Sequence, residues 1–89
     1  MCRNIKILFN FDPPATNEEI QEASKQFVRK LSGFHHPSKI NEAAFNLAIE
    51  KITEDAQALL NSLTTDASPR DREEEAQRAH ARAIKRFGA

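Results

Sequence analysis

Phe45-Asn46-Leu47-Ala48-Ile49-Glu50-Lys51-Ile52-Thr53-Glu54-Asp55-Ala56-Gln57-Ala58-Leu59-Leu60-Asn61-Ser62-Leu63 is the stretch that decides the fold class. Phe45, Ala48, Ile49, Ile52, Ala56, Leu59, Leu60 and Leu63 recur at three-and-four spacing, with Glu, Lys, Asn, Asp and Gln between them. That period belongs to a helix with one apolar face. Burying the large residues on such a face contributes about 1.5–3 kcal/mol each before the entropy of ordering them. The helix is expected over 38–63, and its N-cap is either Ser38, just after Pro37, or Asn41.

Upstream, Thr16 followed three positions later by Glu19 is the capping-box pattern that opens a helix over 16–32. Ile20, Ala23, Phe27, Val28 and Leu31 form its expected buried stripe, and Lys25, Arg29 and Lys30 lie toward the end where cations oppose the helix dipole. Gly33 follows as the residue that ends the helix in a left-handed conformation. The connection to the next helix is short, so the two helices should pair antiparallel. Downstream, the polar break Thr64-Thr65-Asp66-Ala67 precedes Ser68 and Pro69, which suit the N-cap and first position of a third helix over 69–87. Asp71, Glu73, Glu74 and Glu75 load its first turns, and Arg82, Lys85 and Arg86 its last. Its apolar face is thin (Ala76, Ala79, Ala83, Ile84, Phe87), so it should dock weakly, with Phe87 as the main anchor.

The opening Ile5-Lys6-Ile7-Leu8-Phe9-Asn10-Phe11 alternates as a strand would, yet Ile5, Leu8 and Phe9 also fit a helical turn. A lone strand needs a partner, and no other segment resembles one, so a strand here would imply pairing with a second copy. The preferred reading is a short helical or irregular segment over 1–14, closing the core with its Phe residues and stopped by Pro13-Pro14. The expected architecture is therefore all-α: one small three-helix domain, made of an antiparallel pair, an Ala/Arg-rich C-terminal helix and an apolar N-terminal segment.

Composition bounds the function. In 89 residues, 13 basic and 13 acidic side chains cancel, so there is no global charge to steer the chain toward nucleic acid or membrane. A domain this small buries roughly 60–65% of its unfolded surface, and Cys2, as the only cysteine, offers neither disulfide nor metal cage. With no secretory, transmembrane or lipidation signal, a cytoplasmic setting is expected. No Walker loop, dinucleotide fingerprint, zinc-finger spacing or nucleophile elbow occurs, so no catalytic residue, metal or cofactor is assigned. Adjacent His35 and His36 point different ways and lack the convergent ligands that zinc needs. Arg78, Arg82 and Arg86 make a basic stripe, with Glu74 placed to pair with Arg78.

The junction between the first two helices is the candidate site. Arg29, Lys30 and Lys39 supply charge, Gly33 shapes the turn, and Ser38 or Asn41 opens the next helix with backbone amides available to an anion. The leading expectation is a non-enzymatic binding module that contacts an anionic partner there, a nucleic-acid backbone before others. A second is self-association or protein docking through Ile7, Phe9 and Phe11, and a third is thiol chemistry at Cys2.

Met1-Cys2-Arg3-Asn4-Ile5-Lys6, Leu8-Phe9-Asn10-Phe11 and Pro13-Pro14-Ala15-Thr16 resemble a family of short bacterial proteins known only as a domain of unknown function. The resemblance continues through Phe27 to Gly33, Pro37-Ser38, Asn41 to Phe45, and Leu59-Leu60. It implies a stand-alone, helical, cytoplasmic bacterial protein and brings no activity, cofactor or catalytic residue with it.

Overall fold

The two central helices of the computed structural model, which describes residues 5–87, are α1 (Asn17–Ser32) and α2 (Glu42–Ser62). Cys2 and the side chain of Phe87 lie outside the described residues. α1 opens as its sequence dictates. Thr16 Oγ1 accepts the Glu19 N–H at 3.2 Å, and Glu19 Oε1 accepts the Thr16 N–H at 2.9 Å. It closes on Gly33, whose φ of 77° is the left-handed conformation that costs least without a Cβ and whose N–H reaches the Arg29 carbonyl at 2.8 Å.

The helices run antiparallel. Val28, late in α1, clusters with Phe45 and Ile49, early in α2, while Ile20 shares a lining with Leu60 and Asn61 at the far end. The buried core is small: Ile20, Val28, Phe45 and Ile49, with Ser24 and Thr53 beside them. Both hydroxyls are satisfied within their own helices, Ser24 on the Ile20 carbonyl at 3.0 Å and Thr53 on the Ile49 carbonyl at 2.6 Å. On α1 the buried line is 20-24-28 rather than the expected one through Phe27 and Leu31. One neighbouring helix covers only one flank of each apolar stripe; on the other flank Ile5 and Leu8 line the same groove as Phe27 and Leu59, which stay exposed.

Two expectations need correction. The segment around Phe11 is not partnerless: Phe11–Asp12 (β1) pairs in parallel with Arg70–Asp71 (β2), in the register Phe11 to Arg70 and Asp12 to Asp71. The partner is a polar dipeptide within the same chain, invisible to hydrophobic patterning. Asn10, at φ 64°, turns the chain into this bridge, and its carbonyl accepts the Arg70 N–H at 2.6 Å. Its side-chain amide donates to the Ser68 carbonyl at 3.1 Å. The Asp12–Pro13 peptide is cis. The third helix then begins later than Ser68-Pro69 suggested. Residues 70–71 are held extended by the bridge, so α3 runs Arg72–Phe87, and the Asp71 carboxylate accepts the Glu74 N–H at 2.9 Å as its cap.

α3 packs along neither α1 nor α2; it attaches through β2. The radius of gyration, 15.4 Å, exceeds the roughly 12 Å of a compact chain this long. The molecule is broad and flat, 43 by 38 by 18 Å.

Candidate functional site

Among the described residues, the six junction residues fall into two bonded groups and two cations without an ion pair. Arg29 Nε donates to the His35 carbonyl at 3.1 Å, so this guanidinium braces the loop that Gly33 starts. Ser38 and Asn41 are both cap residues, the first of a short 3-10 turn (Lys39–Asn41) and the second of α2. Neither side chain bonds a helix amide; instead Asn41 Nδ2 donates to Ser38 Oγ at 2.9 Å. Lys30 and Lys39 are exposed, with no ion pair among the described residues. His35 and His36 stack edge to face at 4.5 Å. Among the described residues no group of three or more His, Cys, Asp or Glu could hold a metal ion.

A second feature, not singled out from the sequence, lies along the helical pair. The uncovered flanks of both apolar stripes form a groove of 330 Å³ lined by Ile5, Leu8, Ile20, Ala23, Phe27, Ile52, Ala56, Leu59 and Leu60, with Lys6 and Ser24 the only polar members. Ser24 is already bonded to the Ile20 carbonyl, which leaves an almost wholly apolar surface. Phe27 is 42% exposed and Leu59 57%; Leu31, one turn beyond Phe27, is 71% exposed. The other side of the same pair is polar, lined by Asn17, Gln21, Lys25, Asn46, Glu50, Thr53 and Glu54 around Ile49. Of the N-terminal apolar series, Phe9 and Phe11 are half-buried within the chain and Ile7 is exposed.

The third feature fixes how α3 leaves the pair. Arg72 Nη1 and Nη2 grip Glu19 Oε2 and Oε1 at 2.9 and 3.0 Å. Nε donates to the Pro13 carbonyl and Nη2 to the Pro14 carbonyl, each at 3.1 Å. The guanidinium carbon also lies 5.4 Å from the centre of the Phe11 ring. A planar fork with five donors is the one side chain able to satisfy these acceptors together. Arg72 and then the Thr16 N–H hold the Glu19 carboxylate at a pKa of about 2, against an ordinary 4.5, and Glu19 raises the Arg72 guanidinium in turn. Glu19 therefore serves two structures at once, the α1 cap and the α3 anchor. Further along α3, Glu75 accepts Arg70 at 2.9 Å, and Arg78 pairs with Glu74.

Sequence reasoning missed both groove and clamp. The groove was hidden because its residues were all assigned to a core. The clamp was hidden because one arginine among several carries no mark of a contact 53 residues away. No helix among the described residues is long and apolar enough to cross a membrane. A family model described as an uncharacterized conserved protein (DUF2277) matches residues 1–78, a span that takes in the pair and the clamp and ends within α3. Comparison with curated proteins and with solved structures found no match.

Proposed function

Because the chain belongs to this uncharacterized conserved family, its membership brings no established activity, and we propose that it is a docking module whose contact surface is the apolar groove between α1 and α2. One observation carries this reading: Phe27 and Leu59 stay half in water on a groove with two polar members, although each sits on a helix with a core to enter. Apolar patches of this kind on small chains mark contact surfaces. The groove runs between two parallel ridges, the geometry that receives the apolar face of a third helix. The test is titration with anilinonaphthalene sulfonate at a protein concentration where sedimentation finds single chains. Dye should bind the cooperatively folded protein, and Leu59→Glu should abolish that binding with the helical circular dichroism unchanged. No uptake by the wild type, or uptake untouched by Leu59→Glu, rejects the reading.

A second reading is contact with an anionic partner, a nucleic-acid backbone above all, at the junction 29–41. It is favoured by the exposed Lys30 and Lys39, which make no ion pair among the described residues, and by an α2 start whose amides carry no side-chain cap. Labelled single-stranded RNA and duplex DNA at low salt test it. Binding should fall steeply with added salt and drop in Lys30→Ala and Lys39→Ala. No retention at low salt, or retention that ignores both substitutions, removes it.

A further inference from the structure

We propose that the groove between α1 and α2 holds the hydrocarbon chain of a free fatty acid, with the carboxylate at the groove's edge beside Lys6. The proposal rests on the docking reading of this surface and names a small occupant for it. Apart from Lys6, the lining offers one hydroxyl, on Ser24, and that proton is already given to the Ile20 carbonyl. A nucleotide, a sugar or an extended peptide seated here would leave its own polar groups without the hydrogen bonds they make in water. An occupant that is apolar along its length gives up nothing.

Lys6 sets the sign of the occupant's other end. It is the one charged residue lining the groove, it is exposed, and it makes no ion pair among the described residues. By helical spacing, Lys30 stands one turn beyond Phe27 and Asp55 one turn beyond Ile52, a cation and an anion that offset each other. Glu19, next to Ile20, is held by Arg72. A single cation on an apolar groove is matched by a ligand with a hydrocarbon tail and one anionic head.

Size separates a fatty acid from a protein helix. The α2 part of the lining runs from Ile52 to Leu60, about 12 Å along the axis. Ridges of that length admit about two turns of a helix, or about seven residues, against the roughly 20–30 residues a side of a stable protein interface. A methylene is close to a water in size, and at roughly 30 Å³ for each such group the 330 Å³ groove holds about eleven of them. An acyl chain of about ten to twelve carbons is therefore seated whole, where a helix would be seated only in part.

Equilibrium dialysis of the full chain against radiolabelled dodecanoate, kept below its micelle concentration, tests this. One dodecanoate should bind per chain, decanoate should bind about tenfold more weakly for its two missing methylenes, and Leu59→Glu should abolish both. Dodecyltrimethylammonium has the same tail and the opposite charge. It should bind more weakly than dodecanoate to the wild type and more tightly to Lys6→Glu. No uptake of dodecanoate by a protein that still binds the dye would overturn the proposal and leave the docking reading standing; absence of dye binding as well would remove both. A preference between the two head groups that ignores Lys6→Glu would overturn the placement of the carboxylate. Binding to phosphatidylglycerol vesicles without binding of monomeric dodecanoate would overturn a free fatty acid in favour of a membrane surface.

Discussion

The α1/α2 pair and the α3 arm have similar helical periodicity and are held by different physics. In the pair, Ile20, Val28, Phe45 and Ile49 leave water, and the hydrophobic effect does most of the work. In α3 the same spacing presents alanines. The helix is fixed by one guanidinium, a two-residue bridge and an Asp71 cap. Amphipathic spacing tells a helix which face to bury, but side-chain volume on that face determines whether burial can hold it.

The sharpest way to break this contrast is to remove volume from the pair. Phe45→Ala should cost about 3–5 kcal/mol, most of the stability of a chain this small, and denaturant unfolding should shift as a whole. Leu31→Ala, removing a side chain as apolar but 71% exposed, should stay within about 0.5 kcal/mol. Equal losses would mean that α1 buries a different face.

Removing the clamp should act on the other region alone. Arg72→Ala should free α3, with amide exchange across 72–87 approaching that of an unfolded peptide while the slowest amides of α1 and α2 keep their protection. The expected local cost is modest, because both Arg72 and Glu19 are 36% exposed and water screens the pair. Arg72→Lys should recover only part of it, since an ammonium cannot match the fork.

Glu19 gives the same clamp a pH signature. Its carboxylate has a lower pKa folded (about 2) than unfolded (about 4.5), so the unfolded chain binds the proton first as pH falls. The stabilisation is then fully present above about pH 4.5 and is lost between there and pH 2. Stability of the wild type minus that of Glu19→Gln should shrink over that window; a difference constant from pH 7 to 2 would show that the charge is not what anchors α3. Gly33→Ala should have a small effect too. Nothing lies within 4 Å of the added Cβ, so only the φ of 77° is penalised, at about 1 kcal/mol.

The sequence disclosed what local chemistry encodes. The Thr16/Glu19 box, Gly33 and the α2 period all lie within a few residues of what they control, and each matches the structure. The β1/β2 bridge, the late start of α3 and the Arg72 grip depend on residues more than 50 positions apart, where no periodicity points. Of the candidate site, the turn at Gly33 follows from residue type; that Ser38 and Asn41 would bond each other instead of capping a helix amide does not. That Arg29 would spend its guanidinium on the His35 carbonyl does not either. Phe27, Leu31 and Leu59 were legible as apolar and illegible as exposed, because periodicity identifies a face without saying how much of it a neighbour will cover.

The most direct test is a distance within one chain. Spin labels placed at Lys30→Cys and His80→Cys in a Cys2→Ser background, diluted in excess unlabelled protein, report whether α3 lies on its own chain's groove. A separation well beyond the ~8–10 Å axis spacing of packed helices, shortened by nothing except removal of the clamp in Arg72→Ala, is the predicted result. A single short distance in the intact chain would show α3 folded back over α1 and α2, and would contradict an arm held away by Arg72.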